Sequence, residues 1–162
     1  MSNKIERRKL AFNDLSDAVN DARMLLSKGY VSLGKWSLSQ VCNHVNEWVR
    51  FPMDGYPKAP LWMRPIFWLL KSTIMPGKLK KYLADKSFPA GKPTLSQTVF
   101  GPNHSSDEDS LRKLTATIER FRNHRGELHA SPLFGKMDRA TLLNLQLLHA
   151  AHHLSFLISK NS

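Results

Sequence analysis

The sequence predicts an all-α protein: a four-helix bundle carrying a basic, tryptophan-rich helical insertion between its second and third core helices. Three observations lead there. Four stretches repeat apolar residues at helical spacing, each behind residues suited to cap a helix. No stretch gives a convincing strand pattern, and no internal repeat is visible. Between the second and third helical stretches lies a segment of different character, holding most of the prolines and most of the excess lysine.

The first helix is expected over 13–28. Asn13 or Asp14 can cap it, acids fill its first turns, and Gly29 stops it. Leu15, Ala18, Ala22 and Leu25 or Leu26 mark its apolar face. A connector, YVSLGKW (30–36), follows. The second helix, 37–55, opens with Ser37 and Gln40 at capping-box spacing. Val41, Val45, Trp48 and Val49 form its stripe, and His44 falls on that stripe. A histidine on a buried face needs a polar partner or it costs free energy; Asn43 and Glu47 are the neighbours placed to help.

Residues 56–93 read as an insertion serving as a lid or a partner surface. A short helix is expected over 61–74, between Pro60 and Pro76-Gly77, with Pro65 tolerated in its first turns. A further turn or two is expected over 78–86. Residues 94–104 read as loop. Ser106 caps the third core helix, whose first turn carries Asp107, Glu108 and Asp109 and whose core face is Leu111, Leu114, Ile118 and Phe121. After a second connector (127–137), Asp138 caps a final helix of about 20 residues by its pattern.

That final helix carries the chemistry. The stretch 143–158 holds His149, His152 and His153. His149 and His153 are four apart, so a helix presents both on one face, one turn apart, bordered by Leu142, Leu145, Gln146 and Phe156. Two histidines at i, i+4 are a simple way for one helix to hold a transition metal. His44 is the candidate third ligand. Neutral imidazoles suit zinc, nickel, iron or copper, and three protein ligands with an open fourth position is the pattern of a catalytic zinc. The competing reading makes these core histidines bonded to backbone and to one another. His152 also shares a face with His149; the i, i+4 pair is preferred and His152 is taken as flanking. Cys42 lies about 200° around the helix from His44 and is no ligand. His104, His124 and His129 are read as solvated. Trp36 and Trp48 are read as core anchors.

Composition sets the class. The 162 residues suit one domain, here 1–162; at 41% hydrophobic and 23% charged they read as ordinary globular protein. A single cysteine excludes a disulfide framework. The basic N-terminus lacks an apolar stretch behind it, so no secretory signal is expected, and no run reaches transmembrane length; the cytoplasm is the expected compartment. The net charge of +11 is localised. Residues 1–10 contribute +3 and residues 58–92 contribute +7, leaving the histidine-bearing helices near neutral. Lysine excess and tryptophan invite nucleic-acid or membrane-surface binding. Both rank below a lid with a solvated lysine face, because no nucleic-acid reader motif is visible and Trp62, Ile66, Phe67 and Leu70 can equally pack on the bundle.

The residues GKWSLSQVCNH (34–44), SPLFGKMDR (131–139) and LHAAHHLSFL (148–157) resemble the DinB/YfiT-like superfamily of bacterial metal-binding four-helix bundles, more narrowly an uncharacterised branch of it. The resemblance covers nearly the whole chain. It implies one metal ligand from the second helix, matching His44, and two from the last long helix, matching His149 and His153. Relatives in that superfamily include thiol-dependent transferases, using bacillithiol, mycothiol or glutathione, and a thiol-dependent isomerase; some are homodimers. The resemblance thus implies a divalent metal, zinc or nickel, and a low-molecular-weight thiol as substrate. The alternative is a non-catalytic metal- or ligand-binding, stress-related module. Neither nucleophile nor general base is identifiable, and the basic segment at 56–93 departs from the compact superfamily pattern.

Overall fold

The computed structural model describes residues 6–89 and 98–160. Lys4, Lys92, the end of the expected insertion (90–93) and the start of the expected loop (94–97) lie outside the described residues. The described chain is mostly helical. Its elements are α1 (Leu15–Lys28), β1 (Tyr30–Ser32), α2 (Leu38–Asp54), a 3-10 turn (Leu61–Met63), α3 (Arg64–Thr73), α4 (Met75–Asp85), α5 (Asp107–Asn123), α6 (Arg139–Leu154) and β2 (Leu157–Ser159). Among the described residues no helix is long and apolar enough to cross a membrane.

Helix starts follow the side-chain chemistry. Asp14, Ser37, Ser106 and Asp138 each accept a backbone N–H of the first turn of α1, α2, α5 and α6. Asp14 and Ser37 belong to reciprocal capping boxes. Apolar spacing then decides what is buried. Leu15, Ala18, Ala22 and Leu25 of α1, Val41, Val45 and Val49 of α2, Leu111, Leu114, Ile118 and Phe121 of α5, and Leu142, Ala150 and Leu154 of α6 share one core. Helix α5 lies against α1 and α2, and α6 lies against the same two.

Polar clamps fix α2 against its neighbours. The Asp107 carboxylate, at the start of α5, accepts the Ser39 N–H at 2.7 Å and the Tyr30 hydroxyl at 3.0 Å; that hydroxyl in turn accepts the Leu38 N–H. On the α6 side, Pro52 sits in the last turn of α2 and has no N–H to give the Trp48 carbonyl four residues earlier. Gln146 Nε2 donates to that carbonyl instead, at 2.6 Å. A gap in one helix is thereby filled by a side chain from the next.

Two expectations are corrected here. The last helix spans 16 residues and stops at Leu154. The chain then forms β2, which pairs antiparallel with β1 in the connector, Tyr30 opposite Ser159 and Ser32 opposite Leu157. The helix stops where other groups take its terminal carbonyls: Arg7 donates to the His152 carbonyl at 2.9 Å, Arg8 to the Leu154 carbonyl at 2.9 Å, and the Arg8 N–H to the Ser155 carbonyl at 3.2 Å. Arg8 also forms a bidentate pair with Asp21 of α1.

Helices α3 and α4 occupy the segment where two short helices are expected, with α4 touching α6. The 3-10 turn and α3 carry exposed apolar side chains. Leu61 is 78% exposed, Trp62 71%, Trp68 65% and Leu69 55%. Trp62 and Ile66 therefore do not pack on the helical core.

Candidate metal centre

Helix α2 contributes His44, and one turn of α6 contributes His149 and His153. Their rings converge. His149 Nε2 lies 3.1 Å from His44 Nε2 and 3.1 Å from His153 Nε2, and one nitrogen from each ring lies within 4.8 Å of the others. Nitrogens bound tetrahedrally at 2.0–2.1 Å from a common ion stand about 3.3 Å apart. The cluster can therefore hold a metal ion.

Tautomer chemistry supports that fit. His44 Nδ1 lies 3.0 Å from the Thr98 carbonyl, which can only accept. Nδ1 therefore carries the hydrogen, and His44 Nε2 presents its lone pair to the cluster. A carbonyl behind a ligating imidazole orients the ring and raises its basicity. His149 Nε2 has one lone pair or one hydrogen, yet faces two imidazole nitrogens at equal distance. Its Nδ1 is buried without a hydrogen-bond partner among the described residues. Imidazoles alone leave this arrangement incompletely satisfied; a cation accepts all three lone pairs.

Burial keeps the rings neutral. Desolvation lowers His44 to about 4, His153 to about 2 and His149 well below the ordinary histidine value, with repulsion among the neighbouring rings adding to it. Neutral imidazole is the ligating form.

His152 takes a different role from its neighbour. Arg7 sits 3.0 Å from His152 Nδ1, so that nitrogen accepts, and the Phe88 carbonyl takes the other side of the ring. With both nitrogens engaged, His152 stands outside the cluster and links the N-terminal arm to the end of α4's following turn. Burial, then the Arg7 charge, lower it to about 4.

The walls are aromatic. Trp36 stacks on His153, centroids 5.3 Å apart and 13° from parallel, and lies 5.0 Å from His44. Trp48 lies 4.9 Å from His149. Phe88 comes within about 6 Å of both His149 and His152. The tryptophans read from sequence as core anchors thus border the histidines; Trp48, four residues after His44 on α2, shows it in its spacing, and Trp36, in the connector ahead of the helix, does not. Asn43 and Glu47 do not serve His44. Asn43 bonds Ser105 and Ser110 between α2 and α5, and Glu47 pairs with Arg50. The Thr98 carbonyl does that work, and a main-chain acceptor leaves no signature in sequence. Cys42 is buried, its thiol raised to about 12 by desolvation, and is neither ligand nor nucleophile.

Above the cluster opens a cavity of about 940 Å³. His44, His149 and His153 form part of its wall, together with Met63 and Phe67 of the α3 region, Tyr82 of α4, and Leu133 and Phe134 of the second connector. Tyr56 lines it too, its hydroxyl held by Ser131 and pushed up to about 12 by burial.

A family model matches the chain over residues 4–160. The chain belongs to the DUF1569 family. That family is described as proteins of unknown function, so membership assigns neither metal nor substrate to the cluster. No curated protein and no solved structure matches the chain. For this DUF1569 chain the geometry of its own residues carries the functional argument.

Proposed function

We propose that this chain is a divalent-metal protein of the DinB/YfiT-like kind. In this reading α1, α2, α5 and α6 form a four-helix bundle, residues 56–93 are an inserted lid, and His44, His149 and His153 hold zinc or nickel. The carrying observation is the approach of Nε2 atoms from two helices to 3.1 Å, with His44 fixed in the ligating tautomer by a carbonyl. The proposed activity is metal-dependent transfer to or from a low-molecular-weight thiol of the bacillithiol, mycothiol or glutathione type.

A bound divalent ion would supply Lewis acidity, favouring the thiolate form of a thiol at the open position. The chain's residues hold and shield. Thr98 orients His44, Trp36 and Trp48 limit water at the rings, and the cavity leaves room for a second reactant. No Asp, Glu or Cys is among the described residues lining that cavity. A nucleophile arriving with the substrate suits such a wall better than one built into the chain. The open cavity also favours an enzyme over the alternative, a non-catalytic ligand-binding module.

Elemental mass spectrometry of purified protein tests the centre. Near-stoichiometric zinc or nickel is expected, and its loss in His44→Ala and His153→Ala with helicity retained by circular dichroism. A protein that takes up no metal on reconstitution would overturn the reading. Given a metal, thiol consumption with electrophilic acceptors tests the activity.

A second reading has its own observation. The exposed Trp62 and Trp68 beside the lysines of α4 suit docking on an anionic lipid surface. Co-flotation with phosphatidylglycerol vesicles, lost in high salt and in Trp62→Ser/Trp68→Ser, supports it; no flotation sinks it.

A further inference from the structure

The cavity beside the histidines has a chemistry of its own. Eight aromatic residues and three methionines line it, contributed by α2, the 3-10 turn, α3, α4, both connectors and the segments that follow α2, α4 and α6. Lys35 is the one Asp, Glu, Lys or Arg among its described lining residues, and Lys35 is exposed. At about 940 Å³ the space lies at the upper end of small-molecule sites. Such walls reward apolar area, and among the described residues they give a buried anion no buried counter-charge away from the histidines. The side facing α3 and α4 is Met63, Phe67, Met75 and Tyr82; thioethers adapt to irregular shapes without adding polarity.

We propose that this cavity binds an uncharged, largely apolar molecule, aromatic or branched aliphatic, placed with its polar end toward His44, His149 and His153. The placement of that polar end rests on the metal reading above; the apolar selectivity does not. In the thiol-transfer scheme this molecule is the partner of the thiol and not the thiol itself. The tripeptide-like and sugar thiols carry charges and hydroxyls that these walls cannot pair.

The preference follows from desolvation. A carboxylate moved into an apolar wall loses hydration that only a cation returns. Without metal, the uncharged imidazoles supply none. A neutral alcohol of the same shape loses far less.

The test uses the full chain, stripped of metal with a chelator and checked by circular dichroism. The probe is N-phenyl-1-naphthylamine, neutral and fluorescent in apolar surroundings. The competitors are 2-naphthalenemethanol and 2-naphthoate, which share a ring and differ in charge. Saturable probe binding is expected, displaced by the alcohol at a concentration at least about tenfold below that of the carboxylate. Phe67→Asp places a charge in the wall from a partly exposed helix position. It is expected to weaken probe binding at least about tenfold while leaving helicity and metal content unchanged.

Absence of saturable probe binding by the folded protein overturns the proposal. So does a carboxylate that competes as well as the alcohol, or unchanged binding in Phe67→Asp. Zinc added back separates the two readings. If the site holds metal, zinc strengthens the carboxylate selectively. If zinc changes nothing while the alcohol preference stands, the metal reading falls and the apolar cavity remains.

Discussion

At the residue scale, two main-chain carbonyls decide how the histidines stand. The Thr98 carbonyl sets the tautomer of His44. The Trp48 carbonyl, left without an intrahelical donor by Pro52, is held by Gln146, three residues before His149 on α6. Gln146 is 2% exposed, so Gln146→Leu strands a buried acceptor. A loss of about 1–3 kcal/mol is expected by urea denaturation. Pro52→Ala supplies an N–H to the same carbonyl. A double-mutant cycle should show Pro52→Ala recovering part of the Gln146→Leu loss, and strictly additive effects would deny the shared carbonyl. None of this partnership is legible in sequence. Gln146 reads as a polar residue on an apolar stripe and Pro52 as a helix end, and only packing brings them together. The three histidines were legible because i, i+4 spacing and a stripe position are local facts. The role of His152 was not, since it depends on Arg7 reaching back from the opposite end of the chain.

At the element scale, helix starts were legible because each cap is a short-range exchange between a side chain and the next turn's N–H groups. The end of α6 was not. Its pattern stays apolar through Ile158, whereas the observed stop at Leu154 follows from arginines of the N-terminal arm and from pairing with β1. A three-residue strand carries too little alternation to be read alone. Arg8 is mostly buried and serves both the Leu154 carbonyl and Asp21. Arg8→Ala should therefore cost on the order of 2 kcal/mol, measured by thermal or urea unfolding. The exposed apolar residues of the 3-10 turn and α3 predict the opposite. Trp62→Ser and Trp68→Ser should change stability by less than about 0.5 kcal/mol, because their neighbours on that face are largely solvent.

At the scale of the whole molecule, the buried histidines tie stability to pH. His44 and His152 are lowered to about 4 and His153 to about 2, while the unfolded chain titrates near the ordinary value of 6.5. Between these limits the unfolded state binds more protons than the folded one, so stability rises with pH. The metal-free protein should be most secure above about pH 6.5 and lose stability steadily as pH falls from there toward 4 and below. Midpoint temperatures across pH 4–8, with chelator present, check the slope; a flat profile would contradict neutral burial of the rings. Charge distribution was legible from sequence at this scale. What sequence could not give was the cavity, whose walls come from elements far apart along the chain.

The short ribbon of β1 and β2 reaches furthest in its consequences. It closes on residues that come after the last histidine, yet it holds the connector that carries Trp36 against His153. Leu157, within it, is fully buried. A chain clipped after Ser155 by a carboxypeptidase or a frameshift would keep all seven histidines and all six α-helices of the described chain. It would lose the latch that presses one indole over the cluster, so damage to the tail would surface as a leaky, water-accessible centre rather than as a missing part.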